Sequence, residues 1–334
     1  MALILQRCVI ELENREQIFG LKENDMTPGF PRYAISSVYC THDGGELVLK
    51  QAWESSDRGD AVQNGMLACR NCQSTFPISE GILDLCDDSA LDPESRHEHS
   101  LREKQYRAAV DVNEPVWCEN SEMERAEITP TIEALQADGS QSLLELGCGD
   151  GRLTTALAHR FKSILAVDFS LEALRRLQMR VADRSNIALI RADISTLKIC
   201  PGSFARALST LVSNLPTLEH RNSMYRLAGK TVGANGRFVI SAHYHGFWPR
   251  AFGKKKSAYY EEGGIFRHNM TVKDCKSEAG HYFDDVKAWP IQIYLPLSRR
   301  MKLPLYRTSR ALEHVPGLDS LGKLVLCTAE KPTL

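Results

Sequence analysis

Residues 143–151 read Leu-Leu-Glu-Leu-Gly-Cys-Gly-Asp-Gly, an apolar run broken by one carboxylate and closed by three alternate glycines. With Ser142 in front, the run fits a short parallel strand buried on both faces, in which Glu145 alone needs a reason to be charged. Beyond the glycines, Leu153, Ala156, Leu157 and Phe161 recur at helical spacing, so the chain turns from strand to helix between Gly147 and Gly151. Glycines here permit a tight turn and let a ligand reach the main chain and the positive end of the next helix. A second apolar run, Ser163-Ile164-Leu165-Ala166-Val167, ends on Asp168, twenty-one residues after Gly147. A carboxylate delivered to that sheet edge can accept hydrogen bonds from ribose hydroxyls, as the acid about twenty residues on does in nucleotide-binding βαβ units.

Two nucleotide readings compete. The dinucleotide fingerprint G-x-G-x-x-G needs a glycine where Arg152 stands, and Gly151 falls one residue early, so that match fails. A G-x-G-x-G turn with an acid two residues ahead suits a cofactor that lacks a pyrophosphate and carries an amino-acid tail. Glu145 attracts the tail's ammonium, directly or through water, while backbone amides face its carboxylate.

At this point the chain resembles the class I S-adenosylmethionine-dependent methyltransferases, of the ubiquinone and menaquinone type. The resemblance is close from Ser140 to Ala242 and loose through the rest of the C-terminal half. It implies an α/β, Rossmann-like sheet, mostly parallel with an antiparallel last strand. It also implies that S-adenosylmethionine contacts Glu145, Gly147, Cys148, Gly149 and Gly151 in the first motif, Asp168 and Phe169 at the ribose, Asp193 and Ile194 at the adenine, and Ser209 at the end of strand four. Strands are expected at Ile187–Arg191, Phe204–Ser209 and Gly236–Ser241, with a helix through Met224 and Leu227, and a final antiparallel pair near 282–289 and 321–329. The stretch Ser209 to Pro216 lacks the pattern of adenine-N6 methylases, so that chemistry is not indicated.

Cys69-Arg70-Asn71-Cys72 has the spacing of a zinc knuckle, but upstream only Cys40 stands where a second pair belongs, followed by His42 and Asp43. The segment resembles the small zinc ribbon that activates tRNA and release-factor methyltransferases, and the ribbon fused ahead of some bacterial rRNA methyltransferases. In that pattern the missing ligand falls at Asp43; imidazole is the commoner structural ligand, which favours His42. The expectation is a structural Zn²⁺ on Cys40, Cys69, Cys72 and either His42 or Asp43, with a metal-free ribbon as the alternative. A redox pair lacks the strand-to-helix context it needs.

Three regions follow: 1–90 as a zinc-ribbon-like β domain, 91–139 as linker and helices preceding the sheet, and 140–334 as the methyltransferase domain, with substrate-covering insertions at 243–280 and 290–320. Tyr106 or Trp117 of the preceding helices could close over the cofactor or serve as packing anchors. His243 and His245 leave strand five at the ligand-binding edge, and a histidine of near-neutral pKa could take a proton from a hydroxyl acceptor. The basic and aromatic insertion, with Arg250, Lys254, Lys255, Phe247, Trp248 and Phe252, reads as a lid over an acidic or flat substrate, or as an RNA contact. The proline-rich segment after it could cover the pocket or form a homodimer face.

Composition places the chain among ordinary enzymes: 334 residues, 43% hydrophobic, net charge −1. That charge argues against a surface that tracks nucleic acid throughout. The ten cysteines form no dense framework, and seven of them, outside Cys40, Cys69 and Cys72, stand scattered and single, which fits a reducing, cytoplasmic setting. No apolar run is long enough for a membrane span, and the opening residues lack a basic lead for secretion, so no membrane partner is expected. The expected activity is methyl transfer to a small-molecule acceptor. A tRNA or rRNA acceptor is the runner-up, and a silent S-adenosylmethionine-binding scaffold the third reading.

Overall fold

The computed structural model describes residues 28–333, apart from 56–58, 110, 112–115, 117–120, 213–214, 216, 260–263, 296–302, 314 and 316. Trp117 therefore lies outside the described residues. Alternating apolar residues in the N-terminal third and continuous apolar runs in the middle produce two kinds of strand within one sheet. The first kind is β1 (Phe30–Pro31), β3 (Leu47–Ser55), β4 (Ala61–Cys69), β5 (Thr75–Ser79) and β6 (Ile82–Asp84), while β2 (Val38–Tyr39) pairs instead with Lys198–Ile199 in a small sheet of its own. β5 shows the alternation cleanly, with Phe76 and Ile78 buried and their neighbours exposed.

The second kind, β7 (Ser142–Leu146), β8 (Ser163–Asp168) and β9 (Ile187–Arg191), is buried almost throughout, as parallel strands covered by helices on both faces must be. Next come β10 (Lys198–Ile199), β11 (Phe204–Thr210), β12 (Val232–His243), the hairpin β13 (Ser257–Tyr259) and β14 (Phe266–His268), then β15 (Phe283–Ile293) and β16 (Gly322–Pro332). The helices are α1 (Pro93–Ala108), α2 (Ser121–Leu135), α3 (Arg152–Leu157), α4 (Leu171–Arg180), α5 (Leu218–Thr231), α6 (Phe247–Ala251), α7 (Val272–Ala279) and α8 (Leu305–Leu312).

The large sheet runs β1-β4-β5-β6-β9-β8-β7-β11-β12-β16-β15, with β3 also on β4. It is parallel from β6 to β12 and antiparallel at β12–β16–β15. The expected Rossmann-like sheet with a late antiparallel strand is therefore present. The last two strands run longer than the sequence indicated: β15 continues through Pro290, which sits opposite Val325. Proline is tolerated there because β15 is the sheet's edge, where one row of amides has no strand to pair with. The 290–320 region thus begins as strand, and its described helix is α8.

β6 lies parallel against β9, with Leu83 opposite Ile190, so the N-terminal strands extend the central sheet instead of standing apart from it. Arg191 reinforces the join, its guanidinium meeting Asp84 at 3.0 Å and Asp88 at 2.5 Å. Two apolar layers sandwich the sheet: Leu144, Leu165, Ala188 and Phe238 face one way, and Leu143, Ile164, Leu189 and Val239 the other. α4 illustrates how a helix is held there. Ser170 caps its first turn, and Leu174 and Leu177 are fully buried, each contributing roughly 2 kcal/mol by leaving water.

Candidate active site

Parallel strands present their carboxyl ends to one edge, and there the chain leaves a cavity of about 900 Å³. The turn after β7 forms its floor. Gly147, Gly149 and Gly151 all have positive φ, at 73°, 55° and 85°, which side-chain-bearing residues rarely adopt. Space is short as well: a Cβ on Gly149 would meet the Tyr106 hydroxyl at 2.8 Å, and one on Gly151 would meet Leu177 at 2.2 Å. The turn is pinned to β8, because the amides of Gly147 and Cys148 donate to the Val167 carbonyl and that of Gly149 donates to Asp168 Oδ2 at 2.8 Å.

Asp168 is 6% exposed. Burial raises its carboxyl above the ordinary range, opposed by the amides of Ser170 and Gly149 that donate to its two oxygens. Those bonds spare part of its acceptor capacity for a ligand. Phe169, Asp193 and Ile194 also line the cavity, as do Cys148 and the glycines at 147 and 149.

Three expected cofactor residues sit elsewhere. Glu145 lies beneath the turn, not on the cavity wall, and accepts a hydrogen bond from Thr154 Oγ1 at 2.8 Å. Burial pushes its carboxyl up to about 7, so its charge is suppressed until something cationic comes near. Ser209 is fully buried and donates to the Leu146 carbonyl at 3.0 Å, bracing β11 on β7; Thr210, Leu211 and Val212 take the wall position just beyond. Gly151 caps α3 in the left-handed conformation, behind the lining residues. Leu211 itself has φ 56°, a strained backbone for a branched side chain, held by its amide donating to the Ser241 carbonyl at 2.9 Å.

Helix α1 supplies a wall of which the sequence pointed only to Tyr106. Ser95, Glu98, Arg102 and Tyr106, spaced three, four and four apart, share one helix face and line the cavity. Tyr106 covers Gly149, and burial with the nearby charges of Asp168 and Asp150 drives its phenol well above the usual range. Arg102 Nε donates to Glu98 Oε1 at 2.8 Å, while Glu98 Oε2 is buried without a hydrogen-bond partner among the described residues. In an acidic, polar stretch such residues read as solvated linker; only the helical spacing hinted otherwise. From α2, Glu127 grips Arg152 through paired contacts of 2.7 and 2.9 Å, a fork-to-fork geometry that fixes the start of α3.

His243 reaches the cavity and His245 does not. His245 is buried instead, its amide donating to the Met270 carbonyl at 2.9 Å; β12 ends at His243, so the alternation that would have put residues 243 and 245 on one side does not carry on to His245. The near-neutral pKa expected of His243 is also corrected. Burial, then the positive charges of Arg267 and Arg102, push its imidazolium down to about 3. A base that weak stays neutral and accepts a hydrogen bond, and it takes up a proton only with difficulty.

Far from the cavity, Cys40, Asp43, Cys69 and Cys72 bring their ligand atoms within 4.8 Å of one another. Cys40 Sγ lies 3.6 Å from Cys72 Sγ, close to the ~3.8 Å edge of a tetrahedron with Zn–S bonds of ~2.3 Å. Cys69 Sγ lies 3.3 Å from Asp43 Oδ1. His42 points away, its Nδ1 paired with Ser74 Oγ at 2.9 Å and its ring edge-on to Phe76. The tight turn that presents Asp43 inward carries the preceding side chain outward. Burial pushes the Cys40 thiol up to about 11 while hydrogen bonds from Ser74 lower that of Cys72, a group of donors whose like charges, once formed, call for a cation among them.

Residues 143–232 match the family model described as a methyltransferase domain. An uncharacterized methyltransferase of Mycobacterium bovis is 36% identical over 125 residues, which is 35% of this chain and 60% of that protein. Chondramide synthase of Chondromyces crocatus is 32% identical over 119 residues, 34% of this chain but 3% of its own. The chain thus spans at most about 60% of the length of these relatives. Among solved structures, the N-methyltransferase NodS from Bradyrhizobium japonicum, in complex with S-adenosyl-L-homocysteine, superposes with a TM-score of 0.50 at 17% identity, covering 71% of this chain and 99% of that one. Phosphoethanolamine N-methyltransferase 1 of Haemonchus contortus gives 0.51 at 12%, covering 73% and 51%. These two show a shared fold. The centre of the chain is thus similar to methyltransferase domains over residues 143–232.

Proposed function

We propose that this chain transfers the methyl group of S-adenosylmethionine to a small-molecule acceptor in the cavity above β7, β8 and β12. The observation that carries this is convergence: the glycine turn, Asp168 and Asp193 line one end of the same cavity that His243 lines from β12. Bound there, the cofactor supplies a methyl on a sulfonium, a leaving group already activated. Asp168 would accept from the ribose hydroxyls, Asp193 and Ile194 would hold the base, and amides of the turn would face the amino-acid carboxylate. Glu145 acts from below the turn on its ammonium, through the backbone or water.

The remaining work is positioning, since holding the acceptor in line behind the methyl removes most of the entropic barrier. An acceptor lone pair bonds to the methyl carbon as the carbon–sulfur bond breaks, and the acceptor's proton passes to solvent. His243, neutral, orients a donor on the acceptor by accepting its hydrogen bond.

The N-terminal cluster supports a structural Zn²⁺ on Cys40, Asp43, Cys69 and Cys72, closed to substrate because all four positions belong to the protein. We assign 1–90 to that ribbon-like unit, 91–139 to the helices over the cavity and 140–334 to catalysis. Incubation with methyl-labelled S-adenosylmethionine and separated pools of metabolites, RNA and protein should label the metabolite pool. Asp168→Ala should lower S-adenosylhomocysteine affinity at least ~30-fold, about 2 kcal/mol. Label in RNA, or unchanged affinity, would overturn the acceptor or the cofactor assignment respectively.

A further inference from the structure

The short helix α6 and the residue after it turn three aromatic side chains to solvent: Phe247, Trp248 and Phe252 are 52%, 43% and 74% exposed. Trp248 meets Phe247 edge-on at 5.4 Å between ring centroids and stacks on Phe252 at 5.7 Å. The rings form one apolar ridge, and a contiguous exposed patch, unlike a lone side chain, marks an interaction surface. Arg250, Lys254 and Lys255 are exposed beside it, whereas Lys256 is paired with Asp274 at 2.8 Å. From 243 to 259 the sequence holds no acid; Glu261 and Glu262, next along, lie outside the described residues. The ridge stands at the cavity mouth, since Trp248, Pro249 and Lys254 also line the cavity while Phe247 and Phe252 do not.

We propose that this ridge docks the protein on an anionic lipid surface, the three rings entering the boundary between headgroups and acyl chains and the three cations resting on acidic headgroups. Charge complementarity selects this occupant: cations flanking exposed apolar rings suit a surface that is negative outside and apolar within. A second copy would bring like cations together across a self-complementary contact. RNA is the poorer fit, because bases are gripped by rings that line a groove, and here the three rings stand out together as a ridge. Phenylalanine also offers nothing to hydrogen-bond, and loses nothing by leaving water. The absence of a spanning helix among the described residues says nothing against a protein lying on the surface. One consequence is that an acceptor with an apolar body reaches the cavity directly from lipid. The proposal does not depend on which molecule that is.

The test is sedimentation of the whole chain with vesicles of phosphatidylcholine containing about a quarter phosphatidylglycerol. Binding is expected, weakening at least ~10-fold on phosphatidylcholine alone and in ~0.5 M salt. The double variant Phe247→Ser, Phe252→Ser should lose at least ~10-fold in partitioning while keeping its circular dichroism and thermal midpoint. Lys255→Glu, which keeps the rings, should weaken binding to the anionic vesicles alone. No sedimentation, or equal sedimentation of the double variant, overturns the proposal. So does either of two substitutes without vesicle binding: retention of a single-stranded RNA of about 20 nucleotides, or a dimer, abolished by the double variant.

Discussion

Glu145 and His243 are titratable groups whose burial moves them in opposite directions, and each leaves its own mark on stability. For Glu145 the folded carboxyl titrates at about 7 against an ordinary 4.5. Below 4.5 both states hold the proton; between 4.5 and 7 the unfolded chain releases it and the folded chain does not, so stability falls as pH rises through that window. The loss is on the order of 3 kcal/mol at most, and Glu145→Gln should remove it. Thermal midpoints of the cofactor-free protein, wild type minus variant, should fall from pH 4.5 to 7 and then level; a constant difference would contradict a buried, proton-holding Glu145. His243 works in reverse. Its folded value of about 3 against 6.5 means that below pH 6.5 the unfolded state takes up a proton the folded state refuses, so stability falls as pH falls. His243→Gln should therefore flatten the acid limb. At this scale the glycine turn and Asp168 were legible in the sequence, because a positive φ and a strand-end carboxylate are local properties. The depressed basicity of His243 was not, since it arises first from burial and then from Arg267 and Arg102, which lie 24 and 141 residues away in the chain.

Among the elements, α1 and β6 do more than their sequences promise. α1 begins with Asp92 capping its first turn and Pro93 next to it, an N-terminus that is easy to read. Its inward face of Ser95, Glu98, Arg102 and Tyr106 is polar enough to pass for a solvated one, and only packing across the turn makes it a wall. β6 is three residues long, too short to show a pattern, yet it joins the N-terminal strands to β9. That join leans on Arg191, with Asp84 and Asp88, and on the Leu85 amide donating to the Arg191 carbonyl at 2.8 Å. Arg191→Leu should cost about 1–2 kcal/mol and speed hydrogen exchange at β6 ahead of β8. Unchanged protection there would show that the side-chain bridges are incidental to the pairing.

For the whole molecule, one sheet runs from the cysteine-bearing hairpins to the antiparallel edge, so loss of order at one end is felt through hydrogen-bonded strands at the other. Purified protein should contain about one zinc per chain, removable by a strong chelator, and Cys69→Ser should abolish it. Because the β6–β9 pairing is continuous, metal removal should lower the midpoint of a single unfolding transition by several degrees. Protein without stoichiometric metal, and a Cys69→Ser variant of unchanged midpoint, would leave the cluster a set of ordinary thiols. The choice of Asp43 over His42 belongs to this scale too. Chemistry alone favoured the imidazole, and the direction of one turn reversed it.

The sequence by itself determined the strand–glycine turn–helix unit, the strand-end carboxylate at Asp168 and the cysteine spacing. Each of these rests on backbone stereochemistry or on periodicity within a few residues. Tertiary structure alone decided which histidine faces the cavity, that Glu145 and Ser209 support the site from behind, that Ser95, Glu98 and Arg102 join Tyr106 in the α1 wall, and that the N-terminal strands extend the central sheet. Those outcomes depend on burial and charge contributed by segments far apart in the chain, and no local pattern encodes the dielectric surroundings into which a side chain will be packed.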